Sequence, residues 1–195
     1  MNAPDISNQK QALRLEMKAR RATTGETERA LASRQICERI FHFLSARRER
    51  TIGVYLVGVY LARPPEICLD ILIEKLLREG VEVAAPRVDL ARGEMSFWRL
   101  QSLDDVEIGP WKVRQPPASQ KMKQIPVLIA PGLAFDCAGA RLGSGGGWYD
   151  RTIEANQIVI GAAFDFQIVE CVPTESHDKR VNFVASETRF VEAGN

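Results

Sequence analysis

The sequence predicts an α/β domain: three layers, with a mostly parallel sheet and helices on both faces. Three observations predict it. Short apolar runs are bounded by proline or glycine, helical patterns alternate with them, and a glycine-rich segment follows one buried run and leads into a helix. The 195 residues fit one domain, with residues 1–9 as a flexible tail and 10–195 as the folded part. A chain of this length buries roughly 70% of its unfolded surface and needs no covalent staples.

In order, Lys10 to Ala22 alternates basic and apolar residues without a breaker and reads as a helix. Thr23 followed by Glu26 has capping-box spacing, and the helix after it runs to about Ala46. Its Cys37, Ile40, Phe41 and Leu44 fall at i, i+3, i+4 and i+7, one apolar stripe. Thr51 to Ala62 is rich in β-branched and aromatic residues and reads as a strand; its near-repeat of Gly-Val-Tyr-Leu is too short for a repeat architecture. Ile67 to Glu79 reads as a helix closed by Gly80. Val81–Ala85 and Met95–Trp98 read as strands, and 109–124, with Pro110, Pro116 and Pro117, as a loop. Val127–Ala130, between Pro126 and Pro131, is a buried strand. Ile158–Phe164 is another, and Asn182–Ser186 and Thr188–Val191 are terminal strands.

Composition excludes several classes. Lysine and arginine number 26 against 25 acidic residues, so the basic excess of a general nucleic-acid binder is missing. The four cysteines, Cys37, Cys68, Cys137 and Cys171, are far apart, which argues against a zinc or redox pair and for free thiols in a reducing compartment. Met1 to Gln9 lacks an apolar signal core, and the longest apolar stretch, Ile52 to Ala62, is far short of a membrane span. The expectation is a cytoplasmic protein with no membrane and no nucleic-acid partner.

The segment from Pro131 to Arg151 carries the chemistry. Four of the five residues from Gly143 to Gly147 are glycine, and Arg141, Asp150 and Arg151 flank them. Glycine lets backbone N–H groups turn toward a ligand, and a helix N-terminus just beyond favours an anion. Open α/β sheets bind ligands at the carboxyl ends of their strands. A phosphate belongs at this loop. No Gly-Lys-Ser/Thr closes it, so it is not a Walker A motif, and Trp148 stands where a dinucleotide fingerprint has its last glycine.

The pattern Asp136-x-x-Gly139-x-Arg141-Leu142-Gly143-x-Gly145-x-Gly147-Trp148-Tyr149-Asp150, after Pro131-Gly132-Leu133-Ala134-Phe135, resembles the 5-formyltetrahydrofolate cyclo-ligase family. Lys10-x-x-Leu13-Arg14, Tyr60-Leu61 with Glu66, and Val172-Pro173 with His177-Asp178 are similar to its other motifs. The resemblance implies an enzyme. The formyl oxygen of 5-formyltetrahydrofolate, with or without a polyglutamate tail, attacks the γ-phosphate of ATP. A second folate nitrogen closes the ring, giving 5,10-methenyltetrahydrofolate, ADP and phosphate. Such a transfer asks the protein to position the partners and neutralise charge.

Carried over by the same resemblance, Lys10, Arg14 and the run Arg141, Leu142, Gly143, Ser144, Gly145, Gly146, Gly147, Trp148 and Tyr149 bind ATP. Leu61 and Glu66 line the folate pocket, which Ser144, Gly145, Gly146, Gly147 and Trp148 also face. Asp150 and Asp178 hold Mg2+, a hard cation that takes carboxylate and phosphate oxygens. No single residue is singled out as catalytic, and His177 is a neighbour of the metal rather than a ligand. Taken one at a time these residues read more plainly: Lys10 and Arg14 as a solvated helix face, Glu66 and Asp150 as helix-start acids. Ser144, Trp148, Gln115 and the pair Pro64-Pro65 depart from the family pattern. The alternatives are a non-catalytic folate- or nucleotide-binding module of the same fold, and another phosphate-handling enzyme.

Overall fold

The structure is a computed structural model that describes residues 5–48 and 56–194. Its centre is an eight-stranded sheet in the order β12-β11-β10-β7-β1-β2-β3-β6. The ranges are β1 (Leu56–Gly58), β2 (Glu82–Asp89), β3 (Glu94–Leu100), β6 (Lys121–Met122), β7 (Val127–Pro131), β10 (Ile158–Ala162), β11 (Phe183–Ala185) and β12 (Phe190–Glu192). The five inner strands, β11, β10, β7, β1 and β2, run parallel; β12, β3 and β6 are antiparallel at the two edges.

Side chains along a strand alternate faces, and the inner strands show it. Val127 and Ile129 of β7, Ile160 of β10, Phe183 and Ala185 of β11, and Val83 and Ala85 of β2 join one core; Leu128, Ala130, Val159, Val184 and Ala84 join the opposite one. Two helices, α2 (Glu26–Arg48) and α3 (Asp70–Arg78), cover the first face through Ile36, Ile40, Leu44, Leu72, Ile73 and Leu76. The second face is covered by the five-residue α4 (Trp148–Thr152) and by a hairpin of β8 (Ala134–Phe135) and β9 (Arg141–Leu142), whose Phe135 is fully buried. The last helix, α1 (Ile6–Thr23), sits on the hairpin over a third cluster built from Met17, Leu133, Ala134, Ala140, Leu142 and Val172.

Several boundaries differ from the sequence expectation. α1 begins at Ile6, not Lys10, because the Asp5 carbonyl already accepts from Gln9 N at 3.1 Å. Thr23 does not cap α2: its hydroxyl donates to the Arg20 carbonyl at 2.8 Å and so closes α1, while the Gly25 carbonyl accepts the first bond of α2 from Arg29 N. Of the strand expected over Thr51–Ala62, residues 51–55 lie outside the described residues, and pairing ends at Gly58 before Tyr60 and Leu61 turn into a cleft. The loop expected over 109–124 contains strand fragments: β5 (Arg114–Gln115) pairs with β4 (Glu107–Ile108), and β6 pairs with β3. Pro116, which cannot donate to a ladder, follows directly on Gln115 and ends β5 after two residues. Gly80 closes α3 as expected, at φ +70°.

Candidate active site

From β1 the chain proceeds through α3 to β2 on one side of the sheet; from β7 it proceeds to β10 and β11 on the other. The order therefore switches between neighbours β1 and β7, and a crevice opens at the carboxyl ends of such strands. A cavity of about 250 Å³ lies there. Tyr60 and Leu61 beyond β1, Pro131 and Gly132 at the end of β7, and Pro86 and Val88 of β2 form its floor. Glu66 lines one wall, and Gly143, Ser144, Gly146, Gly147 and Trp148 line another. Glu66 is held by its own turn: Arg63 N donates to Oε2 at 3.0 Å and Glu66 N to the Arg63 carbonyl at 2.8 Å. The Tyr60 hydroxyl donates to the Ile67 carbonyl at 3.0 Å, and full burial holds its pKa well above the ordinary tyrosine value. Tyr149 is raised as well, by burial first and by the Glu66 charge second. Both phenols stay neutral near pH 7.

The glycine loop is built for close approach. Gly145 has φ +106° and Gly147, at the N-cap of α4, has φ +64°, conformations that side chains with a Cβ rarely adopt. Among the described residues, none of the five backbone N–H groups from Gly143 to Gly147 donates to a protein acceptor. α1 lies alongside, and Lys10, Arg14, Met17 and Arg21 recur on its inward face. Arg14 Nε donates to the Gly143 carbonyl at 3.1 Å. Arg141 runs beneath the loop, 2% exposed; its guanidinium donates to Asp150 Oδ1 at 2.6 Å and the Pro131 carbonyl at 3.3 Å, and Nε, buried, has no partner. Trp148 stands at the rim, with the Arg151 guanidinium 5.0 Å and the Trp111 ring 5.9 Å from its own ring.

A second hollow, about 340 Å³, lies on the far side of Arg141, between the β8–β9 hairpin and the segment Thr174–Arg180. The structure places Asp150 on the first cavity and Asp178 on the second, with Arg141 shared by both. The two carboxylates are linked through the chain: Asp150 Oδ1 also accepts from Lys179 N at 3.2 Å, next to Asp178. Asp178 Oδ2 accepts from Lys10 Nζ at 2.5 Å and from Glu175 N at 2.7 Å. Burial opposes the Asp178 charge, but those two bonds outweigh it and hold the carboxyl below the usual range. Lys10 is likewise raised above its ordinary value: burial works against its charge, and the bonds to Asp178 and to Glu175, at 2.7 Å, outweigh it. Glu175, His177 and Asp178 bring ligand atoms within 4.8 Å of one another.

Leu61, Glu66, Gly143, Ser144, Gly146, Gly147, Trp148, Tyr149 and Asp150 line the first hollow, Asp178 the second, and Arg141 both; Lys10 and Arg14 line neither but bond Asp178 and the Gly143 carbonyl, Gly145 lines neither, and Leu142 is buried under α1. Among the further residues of the two hollows that the sequence did not single out are three that add charge or an aromatic ring. Glu175 is the second partner of Lys10, Trp111 joins Trp148 at the rim, and Arg21 reaches the Glu66 side of the cavity. Only Arg21 left a signal in the sequence, seven residues after Arg14 and thus on the same helix face.

The model of the 5-formyltetrahydrofolate cyclo-ligase family matches residues 6–187. The chain belongs to that family. Among its relatives, the 5-formyltetrahydrofolate cyclo-ligase of Mus musculus is 25% identical over 96% of this chain and 98% of its own. That of Escherichia coli K12 is 31% identical over 72% and 82%, respectively. The solution structure of the 5,10-methenyltetrahydrofolate synthetase of Aquifex aeolicus superposes with a TM-score of 0.81 at 25% identity, over 95% of this chain and 93% of that one. A synthetase of the same name from Mycoplasma pneumoniae, at 20% identity and TM-score 0.72, shares the fold. The cyclo-ligase family is a ligase family of folate metabolism.

Proposed function

We propose that this cyclo-ligase family member converts 5-formyltetrahydrofolate to 5,10-methenyltetrahydrofolate at the expense of ATP. The observation that carries the proposal is the glycine loop between two differently furnished hollows. None of its five N–H groups donates to a described residue, and Arg14 stands beside it, bound to the Gly143 carbonyl. Unpaired N–H groups in a row form an anion-binding concavity. The cavity on the Glu66 side is mostly apolar, with the Glu66 carboxylate on one wall and Asp150 beside the loop, and an apolar wall with a carboxylate acceptor suits a flat heterocycle bearing N–H donors. The loop thus sets a phosphate chain against the folate's formyl group.

Within that arrangement Lys10 and Arg14 bind the phosphates from α1, and the loop N–H groups and Trp148 position both ligands. Leu61 and Glu66 hold the pterin ring. Asp150 and Asp178, one in each hollow, would each offer a divalent cation one oxygen. Their hydrogen bonds among the described residues fall on Oδ1 of Asp150 and Oδ2 of Asp178, so each carboxylate retains an oxygen, the donor type Mg2+ prefers. Bound there with the nucleotide, Mg2+ would neutralise phosphate charge. The neutral phenols of Tyr60 and Tyr149 and the apolar floor keep water from the reacting oxygen, which otherwise competes for the phosphoryl group. The free cysteines support a cytoplasmic setting, and no described helix is long and apolar enough to cross a membrane.

The test is formation of the methenyl product, followed by its near-ultraviolet absorbance. Folded protein supplied with 5-formyltetrahydrofolate, ATP and Mg2+ should give product, and omission of either ATP or Mg2+ should stop it. No product with all three present refutes the enzyme and leaves the binding module.

A further inference from the structure

The Glu66 wall of the cavity has a second charge. Arg21 stands on the last turns of α1, and its side chain is 9% exposed. The guanidinium makes no hydrogen bond to a described residue; its nearest charged partner is Glu66 Oε1, at 4.0 Å, beyond hydrogen-bond reach. A guanidinium this far buried, held by one 4.0 Å ion pair, leaves N–H donors for a water or a ligand in the cavity to meet. Burial pulls the Arg21 pKa down, and Glu66 opposes this only in part. The N–H groups nevertheless have somewhere to point. Arg21 lines the 250 Å³ cavity, and it also lines a polar recess of about 10 Å³ behind it, shared with Glu66, Tyr60, Gly132 and Gln167. Such a recess holds one water or one exocyclic atom of a ligand. Gln167 does not supply the missing acceptor: its amide is committed, Nε2 to the Gly132 and Leu133 carbonyls and Oε1 to Phe164 N.

We infer that Arg21 is a specificity-determining residue that donates to the 4-oxo oxygen of the pterin while Glu66 accepts from the adjacent N–H groups. The inference rests on the proposal that the pterin lies against Glu66. A 2-amino-4-oxo ring presents, along one edge, an amine donor, a ring N–H donor and a carbonyl acceptor. A carboxylate with a guanidinium beside it presents the complement, two acceptors and then a donor. The ligand oxygen would also give the guanidinium the hydrogen-bond acceptor that Glu66, at 4.0 Å, does not supply. A 2,4-diamino ring places an NH2 donor against Arg21 and should be rejected, because a site built to donate a hydrogen bond discriminates strongly against a ligand that cannot accept it.

The experiment is calorimetric titration of the full chain with 5-formyltetrahydrofolate and with its 4-amino-4-deoxy counterpart, in the parent, R21M and E66Q. The parent should bind the 4-oxo ligand at least about tenfold more tightly than the 4-amino one. R21M should lose about tenfold or more for the 4-oxo ligand and change less than about threefold for the 4-amino one, so the preference collapses. A purely structural arginine predicts equal losses for both ligands, and that result, or a preference intact in R21M, overturns the inference. If R21M does not fold, R21Q takes its place with the same expectation, and equal affinities for the two ligands in the parent refute the inference without any variant. E66Q separates the two levels. Unchanged affinity for the 4-oxo ligand in E66Q means the pterin does not lie against Glu66, whereas a loss in E66Q with an intact preference in R21M refutes the role of Arg21 alone.

Discussion

Asp136 joins the two halves of the site, and its removal should show it. The residue is 5% exposed. Oδ1 accepts from Ala138 N at 3.0 Å and Ala140 N at 2.9 Å, which shapes the turn that delivers Arg141; Oδ2 accepts from Val172 N at 2.9 Å, ahead of the segment carrying Glu175 and Asp178. The bonds to Ala140 and Val172 are buried. Asp136→Ala orphans both of those N–H groups, at about 1–3 kcal/mol each, hence about 2–6 kcal/mol in total. In a domain of this size 1 kcal/mol moves Tm by roughly 2–4 °C, so the variant should melt roughly 4–24 °C lower. Asp136→Asn retains the carbonyl oxygen for Ala138 and Ala140 and turns an NH2 toward Val172 N, so it should melt between the two while losing turnover through the displaced 172–178 segment. Thermal melting and methenyl formation on the same preparations decide. A Tm for Asp136→Ala within about 2 °C of the parent would refute the assignment of Asp136 as the tie.

Other expectations follow from the same geometry. Gly145→Ala meets no clash, since its Cβ would lie 3.8 Å from Arg14 Nε, but φ +106° costs a residue with a Cβ about 1–3 kcal/mol. The loop should relax and displace its N–H groups, and a shift of about 1 Å costs about a hundredfold in rate, so turnover should fall far more than melting temperature; near-normal turnover would remove the phosphate cradle. Lys10→Ala should weaken ATP about tenfold or more and spare 5-formyltetrahydrofolate in separate titrations, with Glu66→Gln doing the reverse; equal losses for both ligands would undo the division. Asp178, whose folded-state pKa lies below its unfolded value, adds stability above about pH 4 that is lost as pH falls through the folded value. Asp178→Asn should therefore melt lower than the parent at pH 7, and the gap should close in acid; a gap independent of pH would mean that the Asp178 charge does not stabilise the fold.

What the sequence revealed was local. The strand Val127–Pro131, the glycine loop and the start of α4 lie close along the chain, parted only by the β8–β9 hairpin, and their residue types dictate buried strand, close approach and helix locally. The stripe of α2 was legible for the same reason: Cys37, Ile40 and Leu44 lie in the core and Phe41 packs against it. The pairings Lys10–Glu175 and Arg21–Glu66 were not legible, because they depend on how α1 is laid across a hairpin far along the chain. Thr23 misled because a threonine hydroxyl can bond back to the helix it ends as readily as forward to the next, and spacing does not distinguish the two. The second face carries the five-residue α4 and the β8–β9 hairpin with α1 laid over it, so helices lie on both sides of the mostly parallel sheet as the alternation of elements predicted.

α1 rests on a hydrophobic cluster that shares no buried member with either face of the sheet. Its opening therefore need not open the sheet, and it belongs with the segments that exchange their amide protons below the global unfolding free energy. Lys10, Arg14 and Arg21 all ride on it, so ligands gripping both the helix and the glycine loop would fasten the one to the other. Deuterium uptake along Ile6–Thr23 would then slow with nucleotide and with folate, while uptake in β7 and β10 would hardly change.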